Sequence, residues 1–208
     1  MVFNGSVSVY GLAMAYKTIP MNLASIFSVL SNTTGLSDAL KEELSEKVGE
    51  EKYKAHQIIH AAGQMENRLY FIESGFARNY YYDHHGNEHT VRFWKAGDIV
   101  FSYEGYYNVP SYFYTEILEE SRLITLNYII LHELDNKFPE IATVIKAILI
   151  KYQHEEYEKQ KLIALPAEER FLLFRENNLN IFKKAPSRII ASYLHITRET
   201  LTRYIGRN

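Results

Sequence analysis

Cysteine is absent from the 208 residues. Within them this excludes disulfides, thiolate nucleophiles, iron–sulfur ligation and cysteine-bearing zinc sites, and it fits a cytoplasmic location. Long apolar runs are missing as well; nothing approaches the roughly 18 residues of a membrane span, so no membrane association is expected. The N-terminus carries no positive n-region and no cleavage site of the secretory kind. "MNLASIFSVL", from Met21, has the look of a more typical start, and residues 1–20 read as a loose tail or an upstream extension. Phosphate-loop and dinucleotide fingerprints are absent, and Ser102, Ser111 and Ser121 lack any nucleophile-elbow context. The sequential acids Glu50/Glu51, Glu119/Glu120 and Glu155/Glu156 read as solvated surface. No acid–base pair emerges from them, and no enzyme is expected.

Histidine is present in some number, at 8. His84, His85 and His89 gather in or beside a turn with Asp83 and Glu88. Adjacent strand residues point apart, so His84 and His85 diverge, and an exposed polar turn is favoured over a metal site. No metal and no cofactor are expected.

Aromatic residues are plentiful: 17 Tyr and 11 Phe beside one Trp. The segment "VFSYEGYYNVPSYFYTE" concentrates them. Tyr103, Tyr107, Tyr112 and Tyr114, with Glu104 as a polar handle, form a candidate effector pocket. Tyr106, Phe113 and Glu116 lie in the same stretch. Plain core and rim packing explains the segment equally well.

The net charge of -2 hides an asymmetry. Residues 182–208 carry six basic side chains against Glu199 alone, or +5, whereas the rest of the chain is -7. A basic end on an acidic body is suited to phosphates.

The spacing of apolar residues divides the chain into three. Helical patterns over 22–50 are followed by short strand-like runs near Tyr53, in "QIIHAAG", "RLYFIESG", "FARNYYY", "HTVRFW" and "IVFSYEGYY", and at 112–118 and 122–128. Glycine and aspartate turns separate them, which predicts an antiparallel roll or jelly roll. Pro139 then opens a helix to about Leu165. Ile141, Ile145, Ile148 and Tyr152 recur at intervals of four, three and four, a narrow seam that favours a dimer helix over packing on its own roll. "PAEERFLLFREN" predicts a helix with Phe171 and Leu172 facing a core. Two more helices follow, at 187–194 and after Thr197. The expected organisation is an α+β chain: a roll over 22–138, a long helix over 139–165 and a small helical domain over 166–208.

The last stretch, "ASYLHITRETLTRY", has the most internal structure. Ile189, Ile190 and Leu194 give one helix a buried side, and the small Ala191 permits close approach of the next. Thr197 is placed to cap the final helix. Leu201, Tyr204 and Ile205 point inward, which leaves Arg198, Glu199, Thr202 and Arg203 outside. This is the layout of a helix-turn-helix. Arginine suits guanine O6/N7 and glutamate suits the cytosine amine. Lys183, Lys184, Ser187, Arg188, Thr197, Thr200 and Thr202 are phosphate candidates.

"IIASYLHITRETLTRYI" resembles the helix-turn-helix of the Crp/Fnr family of bacterial transcription regulators, above all in its "SRET"-like core. "LYFIESGFARNYYYDHHGNEHTVRFWKAGDI" has the looser rhythm of that family's cyclic-nucleotide-binding-like roll. The resemblance covers about residues 30–208. It implies a homodimer on a pseudo-palindromic double-stranded DNA site, with Arg198, Glu199 and Arg203 reading bases and the helix from about Pro139 as dimer helix. Two departures stand out. After Gly97-Asp98 no arginine occurs between Arg92 and Arg122, so a cyclic nucleotide phosphate lacks its usual cationic partner, which argues against cAMP. Any effector is then a different small molecule, or none. The absence of cysteine likewise argues against the iron–sulfur branch. The chain also stops at Gly206-Arg207-Asn208, where the family usually adds a small β-hairpin wing. The rival expectation is a β-roll ligand-binding or interaction protein with a non-functional DNA-binding domain.

Overall fold

The structure is a computed structural model that describes residues 23–207; the tail expected at 1–20 lies outside them. Two helices come first, α1 (Ala24–Ser31) and α2 (Asp38–Lys47). Ser37 starts α2 by accepting a hydrogen bond from the Leu40 amide at 3.3 Å, satisfying one of the donors a helix N-terminus leaves open. The roll follows: β1 (Gly49–Tyr53), β2 (Ile58–His60), β3 (Arg68–Tyr82), β4 (Glu88–Lys95), β5 (Ile99–Val100), the short helix α3 (Tyr103–Tyr106) and β6 (Tyr114–Asn127). Every pairing is antiparallel. The main order is β1-β6-β3-β4, with β2 beside β6 and β5 beside β3.

Two expected breaks turn out to be bends. "RLYFIESG" and "FARNYYY" form one strand, because Gly75 adopts φ +117° and lets β3 change direction without ending. Residues 112–118 and 122–128 likewise belong to one strand, β6, whose register against β3 shifts opposite Ser74 and Phe76. β1 begins at Gly49, ahead of the expected start, since "GEEKY" is too charged to show an apolar alternation. "IVFSYEGYY" supplies only the short β5 before turning into α3.

Helix α4 (Tyr128–Lys137) was not anticipated. Asn127 caps it, accepting from the Ile129 amide at 2.7 Å. Then come α5 (Pro139–Ile163), α6 (Ala167–Asn177), α7 (Leu179–Lys184), α8 (Ser187–Tyr193) and α9 (Arg198–Arg207). In α6 the inward residues are Phe171 and Phe174; Leu172 is exposed, contrary to expectation.

The stripe on α5 is where the structure corrects the sequence most. Ile141 and Ile145 are buried with Leu30, Leu44, Phe71 and Leu131, and Ile148 packs on the same cluster. The Tyr152 ring lies 5.3 Å from Trp94, and its hydroxyl accepts from the Phe101 amide and donates to the Ile99 carbonyl. These four side chains therefore pack on their own chain, Ile141 and Ile145 buried and Ile148 and Tyr152 in part. A narrow stripe records only that something apolar covers it, and the roll and α1–α2 supply that cover. The outward face of α5 leaves Ile150 and Tyr157 at 67% and 58% exposure.

The terminal helices are not a separate bead. Their core residues Phe171, Ile190, Leu194 and Leu201 join Phe76 and Leu118 of the roll in one cluster. Phe93 bridges the two, 5.5 Å from Phe76 and 5.0 Å from Tyr193.

Candidate functional site

Helices α8 and α9 meet through a turn with a definite geometry. The His195 amide donates to the Ser192 carbonyl at 3.2 Å, and the Ile196 amide donates to the Ala191 carbonyl at 3.0 Å. That pair of bonds closes α8 in the Schellman manner, and it places His195 at φ +50°, a left-handed position usually given to glycine. Thr197 then starts α9, accepting from the Thr200 amide at 3.1 Å. Leu201 and Tyr204 are buried beneath it, while Ile205 is exposed rather than inward as expected.

The opposite face of α9 carries Arg198, Glu199, Thr202 and Arg203, all exposed. Hydrogen bonds from its own backbone amide and with Thr197 hold the Glu199 carboxyl below its usual range, so it stays an acceptor. Thr202 returns its hydroxyl to the Arg198 carbonyl at 2.9 Å. Thr200 shares a hydroxyl–hydroxyl bond with Thr197 at 3.1 Å. Ser187 opens α8, and Lys183 is exposed at the end of α7. Two of the phosphate candidates are engaged within the chain: Lys184 pairs with Glu119, and Arg188 with Glu88 at 2.9 Å.

Arg170, which sequence reasoning passed over, holds this unit in place. Its guanidinium donates to the Leu194 carbonyl at 2.6 Å, to His195 at 3.4 Å and to Leu165 at 2.9 Å. It therefore ties the end of the long helix to the turn before α9.

A partly open cavity of about 490 Å³ lies between the strands of the roll, α3 and the α5 residues Tyr152, Gln153 and Glu156. Of the expected lining, Tyr103 and Glu104 are there; Tyr107 and Tyr112 are exposed to solvent, and Tyr114 stacks on Tyr80 at 5.1 Å. The main walls come from residues not anticipated, including His60, Glu66, Arg68, Arg92 and Trp94. Burial pushes the Glu66 carboxyl above its usual range despite hydrogen bonds from the Arg68 and Asn67 amides, and burial lowers His60, whose Nδ1 lies 3.1 Å from Glu66. Both cavity arginines are occupied. Arg68 binds Glu51 at 2.5 Å. Arg92 donates to the Tyr152 carbonyl at 3.1 Å, lies 3.7 Å from Glu155 and covers the Trp94 and Tyr152 rings. At the other end of β3 and β4 the histidines serve the turn: His89 Nε2 lies 2.9 Å from Asp83 Oδ2.

Known proteins share this combination. A family model of the cyclic nucleotide-binding domain matches residues 50–136. The anaerobic regulatory protein of Pasteurella multocida is 28% identical over 163 residues, which cover 73% of this chain and 59% of that protein. Among solved structures, a Eubacterium rectale protein assigned to the Crp/Fnr family of transcriptional regulators aligns over 83% of each chain, with a TM-score of 0.69 at 18% identity. The chain has the fold of this Crp/Fnr-family protein. FixK2 from Bradyrhizobium japonicum has the same fold, with a TM-score of 0.68 at 17% identity, over 77% of this chain and 83% of its own.

The chain spans less than two thirds of the Pasteurella relative it matches. Its cavity residues follow the strand alternation, at 68 and 70, 79 and 81, and 92 and 94. That period was visible in the sequence, but which of the two alternating sets faces inward was not. Nothing local marked Arg170, two of whose three acceptors lie more than twenty residues away. No helix among the described residues is long and apolar enough to cross a membrane.

Proposed function

We propose that the protein is a sequence-specific regulator that binds double-stranded DNA as a homodimer on a pseudo-palindromic site, in the cytoplasm. The observation that carries this is α9. It is capped by Thr197 and anchored through Leu201 and Tyr204, so that Arg198, Glu199 and Arg203 stand outward at the basic end of the chain. Arg198 and Arg203 would pair with guanine edges and Glu199 with a cytosine amine, while Lys183, Ser187, Thr197, Thr200 and Thr202 would meet phosphates. On this reading the chain works as a sensory roll over 22–138, a dimer helix over 139–165 and a DNA-binding unit over 166–208.

The dimer would form on the outward face of α5. Ile150, His154, Tyr157 and Lys161 recur at intervals of four, three and four, all exposed on the side left open once Ile141 and Ile145 have turned inward,. The small, half-buried Ala147 precedes them in the same row and would let a second helix approach closely. The effector, where one acts, would occupy the cavity beside α5. Both cavity arginines already have partners, which supports a ligand other than cAMP.

The test is selection from a randomised duplex library at several salt concentrations. A two-fold symmetric site should be enriched, with affinity falling steeply as salt rises. Arg198→Ala and Arg203→Ala should relax base preference more than Lys183→Ala does. Failure to enrich any site would sink the regulator reading in favour of a β-roll binding or interaction protein.

A further inference from the structure

Lys184, at the end of α7, and Arg188, in the first turn of α8, are held by carboxylates of the roll. Arg188 Nη1 lies 2.9 Å from Glu88 Oε1 on β4, and Lys184 pairs with Glu119 on β6. Around these pairs α8 is bonded to the edge strand by groups of fixed direction. Ser192 Oγ accepts from the Thr90 amide and donates to the Glu88 carbonyl, each at 2.8 Å. The Lys159 ammonium of α5 donates to the next carbonyls along, those of Thr90 and Val91, at 3.1 and 3.0 Å.

Glu88 is fixed from behind. The same Oε1 accepts from Arg78 Nη1 at 2.6 Å, and Arg78, 1% exposed, is gripped on its other side by Glu116 at 2.6 Å. Buried charges of this kind do not drift. Glu88 therefore presents itself to α8 as a preset acceptor.

We propose that this arrangement is a latch: Glu88 and Glu119 of the roll compete with DNA phosphates for Arg188 and Lys184. The idea rests on the DNA-binding reading of α8 and α9 and says how that site is held in check. Arg188 and Lys184 side chains are 54% and 40% exposed. Pairs so open are individually weak, as a contact that phosphate displaces must be. The latch also shares its strands with the cavity. On β3, Asn79 lines the cavity while its neighbour Arg78 reaches Glu88; on β4, Val91, Arg92 and Trp94 line it a few residues from Glu88. A ligand that shifts β4 shifts the latch with it.

The experiment is fluorescence anisotropy of the full chain on a labelled duplex of arbitrary sequence, across several salt concentrations. Glu119→Gln removes one carboxylate without touching Arg78; Glu88→Gln removes the other, with a thermal melt to verify folding. Each variant should bind about 3- to 5-fold tighter at low salt, and the gain should shrink as salt screens the pair. The gain from Glu119→Gln should vanish in a Lys184→Gln background, and that from Glu88→Gln in an Arg188→Gln background. Unchanged affinity in the folded variants overturns the latch. So does a gain that persists without the paired cation, because it then reflects only lost negative charge. A wild type that enriches a site while the variants bind no tighter removes the latch alone. Tighter variants with no enrichment remove base reading alone.

Discussion

Replacing Arg170 is the most direct way to ask whether α9 is positioned from the long helix. The guanidinium makes two short bonds, to the carbonyls of Leu194 at 2.6 Å and Leu165 at 2.9 Å, and a long one to His195 at 3.4 Å. Leu194 and Leu165 lie where α8 and α5 have just ended, so their carbonyls lack intrahelical partners and sit at the negative ends of the helix dipoles. Hydrogen bonds from a charged donor contribute about 1.5–3 kcal/mol each. The 3.4 Å contact adds little, and partial exposure trims the other two. Arg170→Met should therefore cost about 2–4 kcal/mol. Arg170→Lys keeps the charge, but an ammonium has no planar fork to reach both carbonyls, so it should recover only about half of that loss. Urea denaturation reads both values, with the midpoint moving and the slope unchanged. In DNA selection, Arg170→Met should blur the enriched site, because Arg198 and Arg203 are presented from a turn that is no longer tied down. A loss under about 0.5 kcal/mol, within the range of ordinary surface changes, would refute the argument, as would Lys matching Arg.

Gly75→Ala should be severely destabilising: φ is +117°, and a Cβ there would come 1.9 Å from Ser121 Oγ and 2.7 Å from Ser121 Cα. Trimming Ser121 to Ala should not rescue it, because the backbone contact remains; thermal melts of the single and double variants decide. Arg78→Leu removes the buried cation shared by Glu88 and Glu116, leaving Glu88 only the exposed Arg188, and should cost about 3–5 kcal/mol at neutral pH. For Glu88, burial acts to raise the carboxyl, but Arg78 and then Arg188 hold it below its usual range. Its contribution is therefore present above the ordinary glutamate range and lost as pH falls through the depressed value. The gap between wild type and Arg78→Leu should accordingly narrow on acidification. Lys159 titrates the other way: burial lowers it from 10.5 to about 8, so between those values the unfolded chain holds a proton that the folded chain has released. Wild-type stability should rise from about pH 8 to about pH 10 relative to Lys159→Met, by up to about 3 kcal/mol; a flat difference would contradict it.

The sequence by itself determined the elements whose cause is local. Thr197 as a cap, Leu201 and Tyr204 as anchors and Arg198, Glu199 and Arg203 as the outward set all follow from spacings of three and four within one helix. The order of roll, long helix and helix-turn-helix was legible for the same reason, since a change of period shows within a few turns. Tertiary structure decided what each apolar or charged face meets. Ile141 and Ile145 went to the roll, not to a second copy; the cavity took Arg68, Arg92 and Trp94 in place of Tyr107 and Tyr112; and Arg188 found Glu88 a hundred residues away. Periodicity records that a face is covered. Its partner is fixed by chain closure over such distances, and no short window of sequence carries that information.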